Sequence, residues 1–178
     1  MHALDELEFA HQSVGGSSRG RRHAMQQINH AYAVLLSSQF QGFCRDLHSE
    51  CTDYFAKSVP DGILRAAFSN LFVQNRKLDK GNPNPGNIGA DYNRFGFVFW
   101  DKVVSLNIRN RLRQSQLEIL NKWRNAIAHQ DFDLKIIDAT SLRIKRVREW
   151  RVDCNQLAIS FDEVMRSYIQ RINGSSPW

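Results

Sequence analysis

An all-α fold, an up-and-down bundle of long helices, follows from three features of this sequence. Apolar residues recur every three to four positions over most of the chain, the period of an amphipathic helix. The runs with this period are long, above all an early one and a last one, and the connections between them are mostly short, which favours antiparallel neighbours. A chain of 178 residues fits one domain with a core of its own. The expected division is a short helix and basic linker over 1–23, a helical domain over 24–173 and a tail over 174–178.

Taken in order, Ala3 to His11 reads as a short helix carrying Leu4, Leu7 and Phe9. Ser13 to Arg22 reads as a flexible basic linker, rich in Gly and Ser, whose Arg19, Arg21 and Arg22 either touch an RNA backbone or stay solvated. A long helix is expected from about Ala24 to Phe55. Its stripe is Ile28, Ala31, Leu35, Phe40, Phe43, Leu47, Cys51 and Tyr54, with Gln39, Gln41, Arg45 and Asp46 beside it. Pro60 and Asp61 restart the chain in a helix through Ile63, Leu64, Ala67, Phe68, Leu71 and Phe72. Arg76 and Lys77 then suit its C-terminal dipole.

Lys80 to Asn87 reads as the clearest loop in the chain and, with its flanks over 79–94, as a long one. Gating a groove, contacting a partner and being a plain surface insertion all fit it. Phe95 to Trp100 is short and strongly apolar, and reads as core entering a helix through Val103, Val104 and Leu106. A basic helix is expected from about Asn110 to Ala128, with Arg109, Arg111, Arg113, Lys122 and Arg124 on or beside it. Leu134 to Leu142 reads as a connection with a short extended stretch. The last helix starts near Lys145 and carries Val147, Trp150, Cys154, Leu157, Phe161, Val164, Tyr168 and Ile172.

Composition narrows the function classes. A net charge of +6 and a pI near 9.5 favour an anionic partner, nucleic acid or an acidic protein. The expected compartment is the cytoplasm. Asp5, Glu6 and Glu8 sit where a secretion signal would be basic, and no run is long enough to span a membrane. Cys44, Cys51 and Cys154 make no disulfide framework, and no Cys or His spacing suggests zinc. No metal or other cofactor is expected.

The chemistry concentrates in Leu120-Asn121-Lys122-Trp123-Arg124-Asn125-Ala126-Ile127-Ala128-His129. Leu117, Leu120, Trp123 and Ile127 begin the buried face of a helix, yet Arg124, Asn125 and His129 interrupt it. A buried arginine is costly without a partner. Arg124 and His129 lie about 140° apart round an ideal helix. Either the helix ends near Ala128 and His129 folds back, or both point into a groove shared with a second copy, which is the favoured reading. A neutral imidazole is a general base, a guanidinium forks onto phosphate oxygens, and an asparagine both donates and accepts. The set suits RNA cleavage, in which the base takes the 2′-OH proton and that oxygen attacks the adjacent phosphate. The spacing alone is weak, because an Arg-x4-His arises readily by chance in so arginine-rich a chain.

Trp123-Arg-Asn-Ala-Ile-Ala-His129 resembles the signature of the HEPN superfamily. With Ala31 to Leu47 and Trp150 to Tyr168 it is similar to the RiboL-PSP-HEPN branch, over roughly Ala24 to Ile172. That resemblance implies a HEPN-like bundle with a long early helix and a long C-terminal helix. It further implies a homodimer whose groove cleaves RNA without metal, with Arg124 and His129 catalytic and Asn125 supporting. It also implies a toxin, phage-defence or RNA-processing setting, in which an antitoxin or other regulatory protein is a partner. Family members often carry an acidic residue in the early helix. Gln41 stands there instead, with Asp46 a substitute for the supporting carboxylate.

Lys122, Arg143, Lys145, Arg146, Arg148 and Arg151 are the candidate RNA-binding cations. The last five crowd the start of a helix, where positive charge opposes the dipole. Phosphate contact, an acidic partner surface and a solvated face all account for them. A non-catalytic RNA-binding or protein-interaction dimer, using the same basic groove, is the competing reading of the whole chain.

Overall fold

The longest apolar run forms the longest helix. In this computed structural model, which describes residues 2–14, 19–174 and 176–178, α2 (Arg19–Lys57) is the spine of an all-α bundle. Around it stand α1 (His2–Val14), α3 (Gly62–Val73), α7 (Asn110–His129) and α8 (Ile144–Asn173). The short α4 (Lys77–Lys80), α5 (Pro85–Tyr92) and α6 (Phe99–Leu106), with a 3-10 turn over Asn93–Phe95, fill one side. Among the described residues there is no strand.

Enclosure by several helices explains why the α2 stripe is displaced from the expected one. Its buried face runs Ala33, Leu36, Phe40, Cys44, Leu47 and Cys51, while Ala31 is exposed and Leu35 and Phe43 are half-buried. The buried face of α8 runs Val147, Trp150, Cys154, Leu157, Phe161, Val164, Met165 and Ile169. Expected Ile172 is exposed, because a 3.6-residue period drifts off a fixed 3–4 repeat over a helix this long. Phe95 and Phe99 are core, as expected: Phe99 stacks on Tyr92 with centroids 4.3 Å apart and meets Phe161 edge-on at 4.9 Å.

α1 belongs to the same packed body. Leu4 is buried in the common core, and the acidic face of α1 meets the start of α8. Arg151 bonds Asp5 at 2.7 Å and Glu8 at 3.3 Å, Arg148 bonds Glu8 at 3.1 Å, and the Tyr32 hydroxyl donates to Glu8 Oε1 at 2.5 Å. Burial and the bond to Glu8 push the Tyr32 hydroxyl up to about 12. Residues 15–18 of the expected linker lie outside the described residues, and α2 has already begun at Arg19.

Three expectations about the middle of the chain are corrected. The 80–87 stretch is not an open loop. Asn84 caps α5, its Oδ1 accepting from Asn87 N at 2.8 Å, and Pro85 opens the helix, so only 81–84 are irregular. Arg76 does not serve the end of α3. It is buried, donating to Asp79 Oδ1 at 2.8 Å and to Ser49 Oγ at 2.9 Å, and so ties α4 to α2. Leu134 to Leu142 has no extended segment; it is a run of turns anchored by buried Ile137 and Leu142. α3 forms as expected, capped by Asp61, but buries no residue fully and leaves Ile63, Leu64 and Leu71 exposed.

Candidate active site

The end of α7 is built by two opposed patterns. Leu117, Leu120, Trp123 and Ala126 are buried against the bundle. Ser115, Glu118, Lys122, Asn125 and His129, also three or four apart, form a stripe in solvent. Arg124 lies on the flank, half-buried. Its guanidinium curls toward the stripe, and Nη1 donates to Asn125 Oδ1 at 3.3 Å. Asn125 therefore sits between Arg124, its sequence neighbour, and His129, one turn on. The helix keeps its form through His129 and then stops. Gln130 takes the left-handed conformation (φ 54°), and Asp131 N donates to Ala126 O at 3.0 Å. His129 does not fold back.

Neither candidate side chain is sequestered. His129 is exposed, and Arg124 has no ion pair among the described residues. Lys122, Asn125, Ala126, His129, Asp131 and Ile136 line a shallow depression of about 250 Å³. Trp123, on the buried face of α7, donates from Nε1 to Asp138 Oδ1 at 3.2 Å and so ties the turns after Asp133 to α7.

The motif has a second contact, from outside α7, that sequence reading overlooked. Asn82, from the segment before α5, donates through Nδ2 to Asn125 Oδ1 at 2.9 Å. Asn121, one turn before Asn125 and buried, donates to Pro83 O at 3.1 Å and accepts from Ser37 Oγ at 3.2 Å. Two signals were available. Residues 82–87 hold three asparagines, and Asn121 is a polar residue inside an apolar stripe.

The other expected residues divide. Gln41 does not touch the motif. It donates from Nε2 to Leu78 O at 2.6 Å and Gly81 O at 2.8 Å, and so holds the segment that carries Asn82. Asp46 is exposed, and its carboxylate makes no hydrogen bond or ion pair among the described residues. Lys122 stands at the depression itself. Arg143, Lys145 and Arg146 line a different groove between α7 and α8, with Leu112, Gln116 and Glu149. There Arg146 is committed to Asp138 at 2.5 Å and lies over the Trp150 ring. Arg148 and Arg151 are committed to α1. The acidic partner of the cluster is thus in part the chain's own first helix.

The RiboL-PSP-HEPN family model matches residues 2–167, so the match includes α1, the motif and nearly all of α8. Comparisons with curated proteins and with solved structures found no match.

Proposed function

The chain belongs to the RiboL-PSP-HEPN family, and from that premise and the geometry of α7 we propose that it is an endoribonuclease acting at Arg124, Asn125 and His129. The observation that carries the proposal is the solvent stripe on which Asn125 and His129 stand one turn apart, with the Arg124 guanidinium drawn to Asn125 rather than to a carboxylate.

In this reading neutral His129 takes the proton of a ribose 2′-OH. The freed oxygen attacks the adjacent phosphorus, and the bond to the 5′-oxygen breaks. That oxygen leaves with a proton from an acid, either the His129 of a second copy or water. The products are a 2′,3′-cyclic phosphate and a 5′-hydroxyl. Arg124 and Asn125 donate to the non-bridging oxygens as charge builds on them. A homodimer placing two such stripes across one groove brings the two histidines to opposite sides of the scissile bond. Lys122 supplies phosphate contact beside the site.

The test is cleavage of RNA by the purified protein, its His129→Ala variant and its Arg124→Ala variant. We expect cyclic-phosphate ends, no cutting of DNA, activity in EDTA, and a loss of about 10²-fold or more in each variant. Equal cutting by both variants overturns the proposal. RNA retained intact, with steep salt dependence, assigns the groove to binding instead. A toxin or phage-defence role adds growth arrest on expression, relieved by His129→Ala.

A further inference from the structure

The orientation of Asn125 is set from two sides: on α7 by the Arg124 guanidinium, which can only donate, and from outside α7 by a relay of amides that starts at a backbone N–H. An asparagine amide has an accepting end and a donating end, and which is which must be settled by a partner of fixed polarity. Asn87 N is such a partner, since a backbone N–H only donates. It fixes Asn84 Oδ1 as an acceptor, at 2.8 Å. Asn84 must then present Nδ2 to Asn82, where it donates to Oδ1 at 2.9 Å. Asn82 in turn must present Nδ2 to Asn125, and it donates to Oδ1 at 2.9 Å. The second lone pair of that oxygen takes Arg124 Nη1 at 3.3 Å. Both acceptor positions of Asn125 are thereby used inside the protomer, and no group among the described residues takes its two N–H bonds, which are left for a ligand.

We infer that Asn82 is a positioning residue for the Arg124–Asn125 pair, holding Asn125 so that it offers the site a donor and never an acceptor. The inference rests on the nuclease reading for its catalytic meaning, but the orientation itself does not. The segment is braced for this task. Gln41 clamps Leu78 O and Gly81 O, Asn87 Nδ2 donates to Asn82 O at 2.8 Å, and Asn121 clamps Pro83 O. A donor suits a non-bridging phosphate oxygen, where an acceptor would repel it.

Reversing the relay at a distance tests this. Asn84→Asp keeps the cap on Asn87 N, since aspartate caps as well as asparagine. It cannot donate to Asn82, so Asn82 flips and presents Oδ1; Asn125 flips after it, gives up its bond from Arg124 Nη1, and turns an acceptor to the site. In the parent, side-chain amide exchange followed by NMR should show one amide proton each of Asn82 and Asn84 protected and both of Asn125 exchanging freely. In Asn84→Asp one of the Asn125 protons should become protected. For cleavage we expect an unchanged melting temperature and a kcat lowered about tenfold to a hundredfold at saturating RNA. Mere repulsion by the new charge would raise KM and fade with salt. Asn82→Ala should give freely exchanging Asn125 protons and a similar fall in kcat.

Protection of the Asn125 protons in the parent, or an exchange pattern unmoved by Asn84→Asp, overturns the inference. So does full kcat in Asn84→Asp and Asn82→Ala when His129→Ala is inactive. If no RNA is cut by the parent, the nuclease reading falls, and the exchange pattern alone decides the orientation.

Discussion

Asn121 and Pro83, far apart in sequence, are joined by a hydrogen bond of 3.1 Å from a side chain that is 2% exposed. Every polar atom of that side chain is used, since Nδ2 also donates to Leu117 O at 2.8 Å and Oδ1 accepts from Ser37. Replacement by leucine or alanine strands the Ser37 hydroxyl and the Pro83 carbonyl. We expect Asn121→Ala to cost about 2–3 kcal/mol in urea unfolding. The 81–84 backbone should lose protection in hydrogen exchange more than the rest of α7 does. Loss spread evenly over the bundle would mean that Asn121 is ordinary core.

Gly81 leads to a second prediction on the same segment. A Cβ there would stand 2.7 Å from Asn87 Nδ2, closer than real contacts allow. Gly81→Ala must therefore push the Asn87 amide off Asn82 O, the bond that braces the relay. A cost of about 1 kcal/mol is expected, with RNA cleavage falling further than stability alone explains. Gly62, where an added Cβ meets no other part of the fold within 4 Å, is the control, and alanine there should leave cleavage unchanged.

How much of this was legible depends on the length scale of the interactions. Helices α2, α7 and α8 announce themselves because a repeated apolar spacing is a local signal averaged over many residues. The Arg124–His129 pair is local too, but it is a single spacing that chance supplies readily, and it stood out only through its resemblance to a family signature. Gln41 drew notice as a departure from a family pattern, but its partners are two backbone carbonyls that no side-chain pattern reveals. The 80–87 stretch looked like an open loop because Gly, Asn and Pro are turn formers; in fact Asn84 and Pro85 start a helix, and the remaining asparagines make tertiary bonds. The cations of α8 could be counted but not assigned, because the carboxylates of Arg148 and Arg151, Asp5 and Glu8, lie at the opposite end of the chain.

Those cations should separate by experiment. Lys122→Ala removes charge at the depression, so RNA affinity should fall and the slope of log K against log salt should shrink by about one. Arg151→Ala should leave that slope almost unchanged and instead free α1, with a cost near that of Glu8→Gln, about 1–2 kcal/mol. A double-mutant cycle between Glu8 and Arg151 measures the shared term. An Arg151→Ala variant with normal stability and a reduced salt slope would place RNA on the α1–α8 face.

Acid should weaken the fold before it protonates the carboxylates. His48 is fully buried, its Nε2 3.3 Å from Asp91 O and its ring against Tyr92 and Phe95, while Nδ1 has no partner among the described residues. Burial, then the nearby Arg76 guanidinium, hold the imidazole down to about 4, against the pull of Asp91. The unfolded chain, with an ordinary histidine near 6.5, therefore binds the proton first, and stability rises with pH wherever the unfolded state holds more protons. The contribution is complete above pH 6.5 and is lost as pH falls toward 4, a total of about 3 kcal/mol. His30, also pushed down by burial, adds to the same slope. The Glu8 and Asp79 carboxyls are held low as well, Glu8 by Tyr32 and Arg148 despite its burial and Asp79 by Arg76, so their losses come at lower pH. His48→Gln keeps a donor for Asp91 O and removes the titration. Its unfolding free energy should be lower than the parent's at pH 7 but flatter between pH 6.5 and 4.5, so the two curves converge in acid. Parallel curves would mean that His48 takes up its proton at the same pH in the folded bundle as in the unfolded chain.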